Sequence, residues 1–456
     1  MAEAGQCSRL FGTDGVRGVA GHELTAHLAM DLSVAAAEVL GRGASARDRR
    51  PVAVVGRDPR ASGEFLEAAI VAGLASAGVD VLRLGIIPTP GVAYLTGALG
   101  AAFGVVISAS HNPAKDNGIK FFGPGGIKLP DATEDDIEAQ LGMAAPMPDG
   151  AEFGRVSDAS AEHERYLDHL RATLPDHPQP PLAGLRIVAD CAHGAAYRIA
   201  PQALRRAGAE VITIGDQPDG LNINDGCGST ALGAVAAAVV EHGADAGIAY
   251  DGDADRCLAV DADGQPIDGD QILTVLATGL KEAGRLAGDA VVVTVMSNQG
   301  FHVAMRDAGI GVIVTPVGDK HVSAAMRDGG YVLGGEQSGH IIMLEHATTG
   351  DGVLTSLQLL AAVNRSGVPM AAAAKMMPKY PQVLVNVPGD ASQLGPEVAA
   401  AVRRAEAELG GNGRVLVRPS GTEPTIRLMI QAKDASLAER VIGRLADEVR
   451  LALAGQ

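Results

Sequence analysis

The chain has no tryptophan, and aromatic residues make up only 3% of its 456 positions. Stacking platforms for bases or sugar rings are therefore scarce. Positive charge is also short: 37 Lys and Arg stand against 54 Asp and Glu, a formal net charge of −17. A field of that sign repels phosphate polyanions and argues against nucleic-acid partners. An anionic small substrate would then need local basic pockets. Cys7, Cys191, Cys227 and Cys257 are scattered with no CxxC pair, so reduced thiols are expected rather than a secreted disulfide framework. The opening MAEAGQCSRLFG lacks the basic and apolar regions of a signal peptide. One long uncharged run, Leu84 to Ser110, is interrupted by Pro88, Pro90 and glycines, which favours strand–turn–helix–strand over a membrane span. The expectation is a soluble, cytoplasmic chain with no membrane partner. No GxxxxGK[ST] and no GxSxG occurs, so neither a Walker loop nor a serine-hydrolase elbow is supported.

What is present is a globular composition, 47% hydrophobic and 20% charged, in a chain long enough for about three or four domains. Three stretches repeat one pattern: an apolar strand, a polar loop, a helix ending in Ala-Gly, and a second strand. They run from PVAVVGRDPR to Gly85, from LRIVADCAHGAA to Gly215, and from AVVVTVMSNQG to Gly318. Glycine after a helix supplies the left-handed turn that ends it, and the crossover helix lets the two strands pair in parallel. Three copies imply three related mixed α/β domains. The proline-rich Pro175 to Pro181 reads as a linker before the second copy. Beyond about residue 373 the pattern changes. A strand over Val383 to Val387, a helix over Pro396 to Leu409, a hairpin of Arg414 to Arg418 with Thr425 to Ile430, and a final surface helix predict a smaller C-terminal α+β domain. The expected limits are 1–165, 166–257, 258–373 and 374–456.

The residues that carry chemistry sit at strand ends. Ser110, in the ISASHNP run of Ile107 to Pro113, follows the buried strand Phe103 to Ile107, at the edge where ligands collect in α/β sheets. By itself it reads more simply as an ordinary turn residue. Tyr250-Asp-Gly-Asp-Ala-Asp-Arg256 offers Asp251, Asp253 and Asp255 at alternate positions, hard oxygen ligands suited to Mg²⁺ or Ca²⁺. An EF-hand is excluded, because Arg256 and Ala262 stand where its glycine and bidentate glutamate belong. The alternative is a solvated acidic turn, but three aspartates ending a buried strand repel one another without a cation. Arg256 suggests an anion beside the metal.

In Arg418-Pro-Ser-Gly-Thr-Glu-Pro-Thr-Ile-Arg427, a pairing of Arg418 with Thr425 would set Arg427 diagonally across a hairpin on the same face. Two such guanidiniums, with Ser420, Thr422 and the Gly421 amide, suit a phosphate dianion; the alternative is a turn with solvated arginines. Glu336, Gln337, Ser338 and His340 share one loop and can read sugar hydroxyls, or cap a helix. Lys120 follows the serine loop closely. Arg17 and Arg57-Asp58 sit at glycine-rich turns, where a turn-stabilising ion pair is the simpler reading. Together these parts describe phosphoryl transfer.

The order FGTDGVRG, ISASHNP, NGIK, DGDADR, PVGDKHV, GEQSGH and RPSGTEPTIR resembles the α-D-phosphohexomutase superfamily along essentially the whole chain. RLFGTDGVRG, LNINDGCGST and Gln337 resemble its amino-sugar branch. The resemblance implies four domains around a central cleft and a sugar-phosphate substrate. It implies interconversion of glucosamine 6-phosphate and glucosamine 1-phosphate on the route to UDP-N-acetylglucosamine, by a monomer or homodimer. It makes Ser110 a phosphoserine that binds Mg²⁺ together with Asp251, Asp253 and Asp255. Lys120 becomes a general acid/base with His340 as partner, and His111 joins the catalytic candidates. Arg256 and Arg17 would stabilise the transferring group. Glu336 and Ser338 would hold sugar hydroxyls, and Gly318, Asp319 and Lys320 form a substrate-side loop. Arg418, Ser420, Gly421, Thr422 and Arg427 would grip the non-reacting phosphate. Glucosamine 1,6-bisphosphate or glucose 1,6-bisphosphate would serve as activator. A mutase for mannose or glucose phosphates, a phosphatase and a non-catalytic sugar-phosphate sensor are the alternatives.

Overall fold

Val52–Arg57, Arg186–Asp190 and Ala290–Thr294 are short runs rich in valine, isoleucine and alanine, and each forms a largely buried strand. Each pairs in parallel with the strand after its helix: Asp80–Ile86, Glu210–Ile214 and Gly311–Thr315. The intervening helices, Ser62–Ser76, Ala196–Arg206 and Gln299–Asp307, end just before Gly78, Gly208 and Gly309. Those glycines have φ of 81°, 103° and 66°, the left-handed region that closes a helix. The repeated Ala-Gly signal therefore marks the same turn three times.

The computed structural model describes residues 9–12, 14–45, 50–143, 148–175, 178–389, 394–410, 413–419 and 425–454. They fall into two compact units. One holds the described residues up to Met296 with Gly311–Ala374; the other holds Ser297–Ile310 and the described residues from Lys375 onward. The helix of the third repeat belongs to the second unit.

In the first unit, one sheet runs Val16–Val19, Asp116–Gly123, Phe103–Ile107, Val52–Arg57, Asp80–Ile86, Val156–Asp158, with Ile127–Lys128 added beside Asp116–Gly123. Its core gathers Leu32, Leu66, Ile70, Leu74, Val105 and Ile107. A second sheet runs Pro266–Ile267, Cys257–Asp261, Ala246–Tyr250, Arg186–Asp190, Glu210–Ile214. A third runs Gly311–Thr315, Ala290–Thr294, Leu333–Gly335, Ile341–Met343. The uncharged run Leu84 to Ser110 divides into the end of a strand, the helix Thr89–Ala98 and the strand Phe103–Ile107. Among the described residues no helix is long and apolar enough to cross a membrane. Cys191, Cys227 and Cys257 are buried and free; Cys7 and two residues of the proline-rich linker (176 and 177) lie outside the described residues.

The second unit carries a three-stranded antiparallel sheet, Gln382–Pro388, Thr425–Ala432, Gly413–Pro419. One face packs Ile426, Leu428 and Ile430 in one core with Val398 and Leu409 of the helix Pro396–Leu409 and Val441, Leu445 and Val449 of the helix Ala435–Ala454. Each of those side chains contributes roughly 1.5–3 kcal/mol of burial. The hairpin register differs from the expectation: Arg418 lies directly opposite Arg427, not Thr425. The strand extends to Pro419, so the paired position moves two residues along its partner. A shift of two preserves the face, so the two arginines still share it.

The helix Gly269–Glu282 begins at a capping box made by Asp268 and Gln271, and its first amide donates to Gln337 O at 3.0 Å. A Cβ on Gly269 would lie 2.2 Å from Glu336 O, so this helix start fixes the loop that bears Glu336 and Ser338. Gly269→Ala is expected to cost about 1–3 kcal/mol by overpacking, seen as a lowered thermal midpoint. An unchanged midpoint contradicts this packing account.

Candidate active site

The strands Phe103–Ile107 and Ala246–Tyr250 both end in polar loops, and these loops meet. Ser110 is buried with φ of 51°, a left-handed conformation that costs a non-glycine residue about 1–2 kcal/mol. Its hydroxyl donates to Asp251 Oδ2 at 2.5 Å and lies 3.3 Å from His111 Nδ1. Its amide donates to Ser108 Oγ at 3.0 Å, and Ser108 donates to Asp58 Oδ2. Asp58 in turn pairs with Arg60 at 2.8 Å, both side chains fully buried. The turn is thus strained and held in place from beneath.

Asp251, Asp253 and Asp255 are all buried, and one carboxylate oxygen from each lies within 4.8 Å of the others. Burial, then Asp255 and Asp253, pushes the Asp251 carboxyl well above its ordinary range. Burial also opposes charge on Asp255, but His340, Lys120 and Arg256 hold it below the usual carboxylate range. Asp253 Oδ1 and Asp255 Oδ1 are buried without a hydrogen-bond partner. Clustered carboxylates with idle oxygens fit a divalent cation of the Mg²⁺ type, which takes hard oxygen ligands. Thr89, the first residue of the helix Thr89–Ala98, secures the loop, its hydroxyl donating to Asp253 Oδ2 at 2.7 Å and its amide to Asp253 O at 2.9 Å.

Lys120 reaches the cluster because Asp116–Gly123 is antiparallel to Phe103–Ile107, which sets Lys120 opposite Val106. Its Nζ lies 2.9 Å from Asp253 Oδ2 and 2.7 Å from Asp14 Oδ2. Burial disfavours its charge, but Asp14, Asp253 and Asp255 outweigh burial and keep it protonated. Asp14 is shared with Arg17 and with Lys128, and Lys128 also pairs with Asp319. His340 closes the circuit, with Nδ1 3.5 Å from Asp255 Oδ2 and Nε2 3.6 Å from Asp319 Oδ2. The Gly350 amide donates to His340 Nε2 at 3.1 Å, which leaves the proton of the neutral ring on Nδ1. Burial lowers the imidazole's affinity for a second proton, while Asp255 and Asp319 raise it and prevail.

A cavity of about 380 Å³ opens onto this cluster, lined by Arg17, His111, Arg256, Asp319, Glu336 and His340 among others. Arg256 Nε lies 3.8 Å from Asp255 Oδ1 and has no hydrogen-bond partner. Ser338 donates to Glu336 Oε2 at 3.1 Å, and Gly318 donates its amide to Glu336 Oε1 at 3.3 Å. The structure therefore brings together Ser110, the three aspartates, Lys120, His111, Arg17, Arg256, Gly318, Asp319, Glu336, Ser338 and His340. Lys320 is spent elsewhere, on Asp131 at 3.1 Å and Glu134 at 2.7 Å. Arg57 pairs with Glu67, the structural role expected of a turn residue.

Sequence reasoning missed Asp14, Lys128, Thr89 and Arg60. Asp14 lies inside FGTDGVRG beside Arg17. Lys128 is signalled only by the short strand Ile127–Lys128 returning along Asp116–Gly123. In the second unit, Arg418 and Arg427 stand side by side, with Asn386 opposite Arg427 on the third strand. Burial, then Arg427, lowers the Arg418 pKa, and Arg427 Nε is buried without a hydrogen-bond partner. Among the described residues neither arginine forms an ion pair. Such a pair attracts a dianion. Ser420, Gly421 and Thr422 lie outside the described residues.

Comparison with known proteins agrees with this geometry. Four models of the phosphoglucomutase/phosphomannomutase family match in succession: alpha/beta/alpha domain I at residues 8–145, domain II at 164–264, domain III at 268–380 and the C-terminal domain at 383–448. A phosphoglucosamine mutase of Thermobifida fusca is 62% identical over 97% of this chain and 98% of its own. One of Streptomyces griseus is 59% identical over 98% and 99%. Among solved structures, a phosphoglucomutase/phosphomannomutase family protein of Burkholderia thailandensis superposes with a TM-score of 0.80 at 24% identity, covering 98% of each chain. Aspergillus fumigatus N-acetylphosphoglucosamine mutase, in complex with GlcNAc-6P and magnesium, gives 0.66 at 19% identity over 97% and 96%. With three α/β domains, a smaller C-terminal domain and a serine set against three aspartates, the chain belongs to the phosphoglucomutase/phosphomannomutase family, within its phosphoglucosamine mutase branch.

Proposed function

We propose that the protein interconverts glucosamine 6-phosphate and glucosamine 1-phosphate through a phosphoserine at Ser110 and a glucosamine 1,6-bisphosphate intermediate. The observation that carries this reading is the Ser110 hydroxyl 2.5 Å from Asp251 within a buried cluster of three carboxylates. In the first half-reaction the P–Oγ bond of phospho-Ser110 breaks as a P–O bond forms to the sugar O1 hydroxyl, which loses its proton. The bisphosphate turns end for end. Its O6 phosphoryl group then returns to Oγ, the O6 oxygen regains a proton, and glucosamine 1-phosphate leaves. Ser110 Oγ takes up a proton as its bond to phosphorus breaks and gives one up when the phosphoryl group returns; Lys120, kept charged by Asp14 and Asp253, and His340 hold and move the protons between Oγ and the sugar oxygens. Arg256 and Arg17, which line the cavity, offset charge on the group in transit.

Asp251, Asp253, Asp255 and an oxygen of phosphorylated Ser110 would hold Mg²⁺, which when bound withdraws charge from the transferring phosphoryl group. Glucosamine 1,6-bisphosphate or glucose 1,6-bisphosphate would charge the serine initially. Glu336 and Ser338 orient sugar hydroxyls. Arg418 and Arg427, with Ser420, Gly421 and Thr422, take the phosphate that is not reacting, so one clamp must accept either end of the sugar. Buried, unpaired Cys191, Cys227 and Cys257 support a reducing, cytoplasmic setting, in which the protein would act as a monomer or homodimer.

With Mg²⁺ and glucose 1,6-bisphosphate present, kcat/KM for glucosamine 6-phosphate should exceed that for glucose and mannose phosphates by at least about tenfold. A preference for mannose phosphate contradicts the amino-sugar assignment, net release of phosphate favours a phosphatase, and binding without turnover favours a sensor. Ser110→Ala should remove about a thousandfold or more of kcat while leaving the circular dichroism unchanged; near wild-type turnover contradicts a covalent role for the serine. Arg418→Ala should raise KM about 10- to 100-fold, the loss of charged hydrogen bonds to one phosphate. An unchanged KM excludes the arginine pair as the clamp.

A further inference from the structure

The LNINDGCGST segment marks the amino-sugar branch in sequence, yet its contacts in the fold run to the serine loop. Asn224 has φ of 59°, a left-handed position that asparagine tolerates better than most residues. Its Nδ2 donates to Ser110 O at 2.9 Å and to Asn112 O at 3.1 Å. From the loop between Val52–Arg57 and Ser62–Ser76, buried Arg60 Nη2 donates to the same two carbonyls, at 3.0 Å and 2.8 Å. The left-handed turn at Ser110 is therefore gripped on two carbonyl groups by donors from two different domains.

Asn224 is itself tied to the aspartate-bearing sheet. Its amide donates to Ala192 O at 2.9 Å, and Ser229, later in the same segment, donates to Tyr250 O at 2.8 Å. Gly252, between the first two aspartates, packs into this junction: a Cβ there would stand 2.5 Å from Ser110 O and 2.8 Å from Asn224 Nδ2. The carboxamide thus links the backbone of the serine to the frame that carries Asp251, Asp253 and Asp255. We propose that Asn224 is a positioning residue for phosphoryl transfer, setting where Ser110 Oγ stands relative to the aspartate cluster. Its hydrogen bonds run to Ser110, Asn112 and Ala192, none of them proposed to bind the sugar, so its effect falls on the chemical step and not on substrate affinity.

The proposal rests on the mutase reading, and two variants test it. Asn224→Gly keeps the left-handed backbone and removes the amide; Asn224→Asp keeps the shape and removes the donor. In the full-length protein with Mg²⁺ and glucose 1,6-bisphosphate, kcat for glucosamine 6-phosphate should fall about 10- to 100-fold, as for a misplaced reacting group, with KM within about threefold. A kcat within about twofold of wild type overturns the proposal, as does a parallel rise in KM, which would signal a general loss of the site. Where Asn224→Gly fails to fold, Asn224→Asp decides by the same readings. The rate at which glucose 1,6-bisphosphate phosphorylates Ser110, followed by mass spectrometry, separates the two readings. If the wild-type chain is phosphorylated but turns over no glucosamine phosphate, the mutase reading fails, and slower phosphorylation of both variants still upholds the role of Asn224.

Discussion

Burying three carboxylates at the end of one strand is the constraint on which the rest of this molecule depends. Two like charges about 5 Å apart repel by roughly 3 kcal/mol at an effective dielectric of about 20, and here oxygens of Asp251, Asp253 and Asp255 all lie within 4.8 Å of one another. The surroundings answer with alternating charge. Arg17, Lys120, Lys128, Arg256 and His340 interleave with Asp14, Asp319 and the cluster itself. Five carboxylates thus meet four permanent cations and one histidine, close to balance. A phosphoryl dianion on Ser110 would add two negative charges, and a divalent cation would return two positive ones. Bound together, the two would leave the local balance of charge unchanged.

Balance of charge does not by itself place a nucleophile. Ser110 sits in a conformation that an L-residue avoids, and such strain persists only where the surroundings over-determine it. The Asp58–Arg60 pair, the Ser108 hydroxyl and Asn224 supply that determination. Arg60 is fully buried, and burying an arginine whose charge and donors are all satisfied makes a rigid support. The serine's orientation is therefore built into the fold before any substrate arrives.

Local signals in the chain carried much of this. Alternating aspartates after an apolar strand, the serine after another, and Ala-Gly at three helix ends are patterns within about ten residues, and each lies at the strand or helix end where its pattern put it. The partners that make the site work are not local. Asp14, Lys128, Thr89, Arg60 and Asn224 reach it through sheet register and domain packing, and no spacing in the sequence encodes that. The hairpin shows the limit from another side. Its register moved by two residues, and Arg418 and Arg427 still share a face because the side-chain period of a strand is two.

On the proposed mechanism, Ser110 carries phosphate in the working enzyme. Incubating the chain with glucose 1,6-bisphosphate and Mg²⁺, then digesting it and mapping phosphate by mass spectrometry, addresses this directly. A single phosphate on Ser110, discharged when glucosamine 6-phosphate is added, is the predicted result. Phosphate found on another residue, or turnover by a chain that never becomes phosphorylated, would contradict it.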